Sequence, residues 1–263
     1  MKKELYSPCL ILFFFLNATC ILNAYITHNG GNVSGTWLTG ETHYIQNKVT
    51  INDNTTLTIQ EGCFIKFASL AELYILGTLD CNGTEMNPII FTSFNDNSYG
   101  ETIASSSGSP SAGDWKGISF YGSGDFEGTG YFDYCRVRYG SETSTNYDAN
   151  INFDKCKAAT FINSISEYSA YDGIRIWVAY PTITSSTFSN NVRHGVYCSG
   201  DYVDATAPSI TNNTFTQNGG YGAFIINAYI NSYSGNTGTG NGTNGIGLQG
   251  YVKANVALSC STS

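Results

Sequence analysis

Apolar and polar residues alternate along most of this chain in short runs, and each run is broken by Asn, Gly or Ser. Leu57 and Ile59 alternate with Thr56, Thr58 and Gln60. After Gly62, Phe64 to Phe67 alternates again, and Gly77 separates Leu73–Leu76 from Thr78–Leu79. Pro88 then opens the run Ile89, Ile90, Phe91. A period of two predicts strands, and the breakers predict tight turns between them.

The pattern repeats. PTITSSTFSNNVRHGVYC, starting at Pro181, is answered by PSITNNTFTQNGGYGAFI, starting at Pro208. Ile183 answers to Ile210, Thr184 to Thr211, Thr187 to Thr214, Phe188 to Phe215, Asn191 to Asn218, Gly195 to Gly222, Val196 to Ala223 and Cys198 to Ile225, all at an offset of 27. A fixed offset over so many positions marks a repeat architecture in which each copy stacks on the next. Phe132, Cys135 and Val137 fit the frame of Ile183, Ser186 and Phe188, as do Thr160, Asn163 and Ile165. Gly173, Gly195, Gly222 and Gly245 are expected at the corner before the second strand of each coil. Asn191, Asn218 and Asn241 are expected to stack as an asparagine ladder. The fold class is therefore all-β, a parallel β-helix. Roughly nine or ten coils at about 4.8 Å each give a rod of about 45 Å.

TLTIQEGCFIKF, LYILGTLDCNGT, NPIIFTS and GDWKGISF carry a resemblance to the opening coils of secreted right-handed parallel β-helix proteins of the pectin-lyase-like superfamily. The matching residues include Leu57, Ile59, Gly62, Lys66, Phe67, Gly77, Pro88, Phe91, Trp115 and Phe120. The resemblance implies a right-handed β-helix. It says little about activity, because such coils serve enzymes and adhesins alike.

Interruptions give the domain plan. Residues 1–24 combine Lys2, Lys3 and an apolar run through Phe13, Phe14 and Phe15, the order of a secretory signal peptide. Residues 25–48 are expected to be a lead-in that caps the first coil, with the helix proper over 49–263. Loop insertions are expected at 94–113, 122–130, 140–149 and 199–207, where apolar periodicity lapses; insertions in a solenoid collect on one face, often the binding face.

The formal net charge of −8 argues against nucleic acid and anionic membrane surfaces as partners. A secreted location, with no membrane insertion after signal cleavage, is the expectation. Beyond the leader stand Cys63, Cys81, Cys135, Cys156, Cys198 and Cys260 without C-x-x-C spacing. Cys135 and Cys156, 21 apart and so about one coil, suit either interior stacking or a disulfide between coils.

Catalytic chemistry has one weak focus. Asp172-Gly173 and His194-Gly195 lie one coil apart, so Asp172 and His194 are expected to stack, and the resemblance implies that a hydrolase of this fold uses carboxylates near a His-Gly pair. The alternative is two turn-flanking polar residues. Arg136 and Arg138 flank Val137 and point outward, either towards a sugar carboxylate or into pairs with Asp133 or Asp154. Tyr139 and Tyr202 are candidate sugar-stacking rings. No cofactor is implied. Calcium has weak candidates in two expected loop pairs, Asp125 with Glu127 and Asp201 with Asp204, outside any EF-hand spacing.

An ice-binding face would need Thr-x-Thr at one place in successive coils. Thr56-x-Thr58, Thr182-x-Thr184 and Thr214-x-Thr216 are out of register, since Thr182 falls opposite Ser209. Two function classes remain: a non-catalytic secreted β-helix that binds carbohydrate or a cell surface through its loops, and a polysaccharide lyase or glycoside hydrolase with a degenerate site. The shared residues of the repeat serve turning and stacking. Arg193-His194 and the 199–207 loop, which the copies do not share, are where activity in that stretch is expected.

Overall fold

A computed structural model describes residues 25–121, 127–142, 149–200, 208–254 and 260–262. The expected leader at 1–24 lies outside them. Among the described residues, the strands form three parallel sheets of ten, nine and eight strands, here sheets 1, 2 and 3, and a two-stranded pair. The chain visits the three in rotation. Ile26–His28 opens sheet 1, Gly31–Asn32 sheet 2 and Gly35–Trp37 sheet 3, and Thr42–Ile45 returns to sheet 1. Each strand then pairs with its counterpart in the next coil, as an all-β right-handed parallel β-helix requires.

Period-two alternation puts every second side chain inside. One interior column runs Trp37, Ile59, Cys81, Phe132, Phe161, Ile183, Ile210 and Tyr233, each the register partner of the next. Another passes from Phe188 to Phe215, whose rings stack at 5.2 Å. All of these are buried. Full burial of each aliphatic or aromatic side chain contributes about 1.5–3 kcal/mol, so one column outweighs any surface pair.

The corners follow a rule of their own. Tyr134, Asn163, Ser185 and Asn212 leave sheet 3 with φ between 47° and 55°. Tyr139, Tyr168, Asn190 and Gln217 leave sheet 1 in the same left-handed conformation. Gly173, Gly195 and Gly222 do not supply this turn. They are needed for space: a Cβ at Gly195 would stand 2.6 Å from the Gly222 carbonyl oxygen and 2.5 Å from the Phe215 ring. Gly195 does stand at the expected corner, directly before Val196–Ser199, whereas Gly173, Gly222 and Gly245 fall within the strands Asp172–Trp177, Tyr221–Ile226 and Thr243–Gln249.

Two ladders bolt the corners flanking sheet 1. In the first, Ser164 Oγ accepts from Cys135 N–H, Ser186 Oγ from Ser164 N–H, Asn213 Oδ1 from Ser186 N–H and Asn236 Oδ1 from Asn213 N–H, at 2.9–3.1 Å. In the second, the Asn191, Asn218 and Asn241 side chains join one another at 2.9 and 2.8 Å, as expected. Cys63, Cys81, Cys135, Cys156 and Cys198 are buried and free. Cys135 lies in sheet 1 and Cys156 in sheet 3, so those two neither stack on each other nor form a disulfide.

Two boundaries shift. Residues 26–37 form the first coil rather than a lead-in. Their strands are too short and polar for alternation to reveal, and the interior there holds Trp37, His28 and His43, with Trp37 stacked on His43 at 4.0 Å. The insertion expected at 122–130 ends earlier, because Glu127–Asp133 is a strand of sheet 3 paired with Cys156–Ile162. Ala149 likewise begins the strand Ala149–Asp154.

Candidate functional site

The loop over 94–113 crosses the outer face of sheet 1 and is fastened there by buried polar groups. Lys66 points outward from Phe64–Phe67, yet it is fully buried beneath the loop. Its ammonium donates to the Asp96 and Glu101 carbonyl oxygens at 2.9 and 2.6 Å. Burial pushes the Lys66 pKa down, against the pull of Asp96 and Glu101. Thr92 Oγ1 donates to Asp96 Oδ2 at 2.8 Å, and Arg138 reaches the same oxygen at 3.3 Å. Gly100, at φ 57°, passes over Phe64 so closely that a Cβ would lie 2.7 Å from that ring.

The fastened loop presents Tyr99. Its ring stands over a groove on either side. One part, about 340 Å³, is lined by Ile90, Tyr134, Arg136, Asn163 and Ile165. The other, about 440 Å³, runs past Phe64, Met86 and Pro88. Pro88, Ile90 and Tyr99 belong to both, so the two parts are continuous. The floor is mostly apolar because the register-paired outward positions of four successive strands are Phe64, Ile90, Arg136 and Ile165. Arg136 supplies the polar edge and donates to the Tyr99 hydroxyl. A mostly apolar groove with a few placed polar groups suits an organic ligand with an apolar face and polar rim.

Arg138 stands differently. Its side chain is 11% exposed and pairs with Asp96 and with Glu167, at 3.1 Å to the latter. It also donates to the Tyr139 hydroxyl at 3.0 Å, and Tyr139 stacks on Tyr168 at 5.3 Å. These contacts hold the loop and corner together. Arg136 shares Glu167 at 3.4 Å. The partners are thus Asp96 and Glu167, not the Asp133 or Asp154 expected from strand proximity, because the long loop and the next coil bring those carboxylates over the arginines.

Asp172 and His194 do come together across two coils, but not as an acid–base pair. The Asp172 carboxylate is fully buried and takes Arg193 on both oxygens. What His194 offers it is the backbone N–H, at 3.0 Å. The imidazole turns the other way. Its Nδ1 accepts from Tyr221 N–H at 2.9 Å, and the ring stacks on Phe224 at 5.0 Å. Burial, reinforced by the Arg193 charge, pushes the His194 pKa down to about 4. Arg193 lies over Tyr171 and Tyr197. The two residues expected to carry activity in this stretch are both engaged in stacking its coils.

Asp125, Tyr202, Asp201 and Asp204 lie outside the described residues. The Glu127 backbone lies in a strand rather than the loop expected for it. Among the described residues, no group of three His, Cys, Asp or Glu side chains is placed to hold a metal. Lys66 and Asp96 were not legible as site residues from the sequence, whereas Tyr99 was, as one of the tyrosines in or beside the expected loops. The signal for the fastening was Lys66, an outward-facing cation between Ile65 and Phe67.

The chain matches the family model described as the right handed beta helix region over residues 97–261 and belongs to that family. No curated protein and no solved structure matches it significantly.

Proposed function

We propose that this protein is a secreted, non-catalytic β-helix that binds carbohydrate, on a cell surface or in its surroundings, in the groove beneath Tyr99. The observation that carries this reading is the preordered loop: Tyr99 is held over an apolar floor by a buried ammonium, the Arg138–Asp96 ion pair and the Arg136 hydrogen bond to its own hydroxyl before any ligand arrives. A sugar ring has an apolar face for the tyrosine ring and hydroxyls for Arg136, Glu85 and Asn163 at the rim. Preordering removes the entropy cost of closing a loop on binding. Engagement of Asp172 by Arg193 and of His194 by Tyr221 supports a binding role over hydrolysis.

A glycan array probed with the full chain and with Tyr99→Ala tests the reading. Hits that vanish in the variant support it. No hits, or unsaturated and reducing products released from pectin or alginate, overturn it.

A further inference from the structure

On the C-terminal coils, the outer face of sheet 1 carries a second surface of different character. The strands Thr187–Ser189, Thr214–Thr216 and Asn236–Thr239 of the coil repeat stack in register. Their outward positions are Thr187 and Ser189, Thr214 and Thr216, Thr237 and Thr239. Every one bears a hydroxyl, in two columns. Thr214 and Thr239 are exposed, Thr187, Thr216 and Thr237 half-buried, and Ser189 buried. Around the corner, sheet 3 repeats the pattern, with Thr182-x-Thr184 on Ser209-x-Thr211 on Ser232-x-Ser234.

Two further observations say what such a face can meet. First, it is uncharged. From 179 to 249 the only Asp, Glu, Lys or Arg residues are Arg193, Asp201 and Asp204. Arg193 is committed to Asp172 at a corner, and the two aspartates lie outside the described residues. A soluble surface ordinarily carries about a quarter or more charged residues. The outward positions of these three strands therefore carry no charge, and the nearest charged group of the sheet, Glu167 beside Ser189, is neutralised by Arg136 and Arg138. It also lacks outward aromatic rings, the usual means of gripping a polysaccharide, since Phe188, Phe215 and Tyr233 all point inward.

Second, it is held rigid on both edges. Each of these strands lies between the Ser186–Asn213–Asn236 ladder and the Asn191–Asn218–Asn241 ladder. The backbone positions that carry the hydroxyls thus repeat at about 4.8 Å between coils and about 6.7 Å along a strand. Both repeats are close to those of oxygen atoms on a prism plane of hexagonal ice. Thr237 Oγ1 donates to Thr214 Oγ1 at 3.5 Å, so hydroxyls of successive coils face one another on this surface.

We propose that the Thr187–Thr239 face of sheet 1 binds ice, its hydroxyls anchoring lattice waters and its methyl groups excluding disordered ones. The partner is a neutral, repeating lattice, and the face is preordered for it.

The test is partition of the full chain into a slowly growing ice hemisphere, with thermal hysteresis measured in parallel. Wild type and Tyr99→Ala are expected to enter the ice equally. Thr214→Lys, with unchanged circular dichroism, is expected to be excluded like a non-binding control protein. Exclusion of the wild type overturns the proposal. So does undiminished entry of Thr214→Lys. Binding of the wild type to insoluble cellulose or chitin that Thr214→Lys abolishes, with ice left unbound, likewise overturns it and assigns the face to polysaccharide.

Discussion

Arg193 clasps Asp172 from the next coil, donating from Nε to Oδ1 at 2.9 Å and from a terminal nitrogen to Oδ2. Asp172 is wholly buried and also accepts from His194 N–H. The pair therefore locks two coils at the corner between sheets 1 and 2. Arg193→Met leaves a buried carboxylate without its counter-ion and is expected to cost about 3 kcal/mol. Asp172→Asn keeps an acceptor for His194 N–H and should cost less. Urea unfolding of both variants checks the order; equal stability of Arg193→Met and wild type would contradict it.

Asn213 supplies three bonds inside its corner: Oδ1 accepts from Ser186 N–H, and Nδ2 donates to the Ile183 carbonyl and to Asn236. Asn213→Leu strands a buried N–H and carbonyl, which costs about 1–3 kcal/mol for each unpaired group. Asn213→Ser should be milder, because Ser186 fills the equivalent place one coil earlier with its hydroxyl. Thermal melts of the two variants distinguish them.

Acid weakens the fold through its buried imidazoles. Burial, and then the neighbouring His28, push the His43 pKa down from 6.5 to about 4, and His194 also falls to about 4. Unfolded, both take a proton near 6.5, so between pH 6.5 and 4 the unfolded chain binds more protons and stability falls as pH falls. Their contribution is whole above 6.5. Unfolding free energy measured from pH 8 to 4 should show this slope, and His43→Gln should reduce it.

Lys66 is the fastening of the Tyr99 loop. Lys66→Met keeps the stem in its slot but releases the Asp96 and Glu101 carbonyls. Amide exchange in residues 96–101 is expected to accelerate while the coils stay protected. Equal exchange in both proteins would show that the loop holds without it.

Much of the fold was legible because stacking imposes strict register. Every 27-residue match from Ile183–Ile210 to Cys198–Ile225 that falls within strands is a register pair. The first coil was hidden by the polar brevity of Gly31–Asn32. The groove was hidden for another reason. Tyr99 and Arg136 meet through a loop whose course no periodicity encodes, fixed by Lys66 from a third place in the chain. The hydroxyl face escaped because Thr and Ser are interchangeable there. Thr182 does fall opposite Ser209, but on sheet 3, while Thr214-x-Thr216 has its own partners on sheet 1.

The groove is the centre of this account, and calorimetric titration with the strongest glycan from the array tests it most directly. Tyr99→Ala is expected to weaken binding about ten-fold or more, equal to about 1.4 kcal/mol, with the melting temperature unchanged. Undiminished affinity in Tyr99→Ala would contradict it.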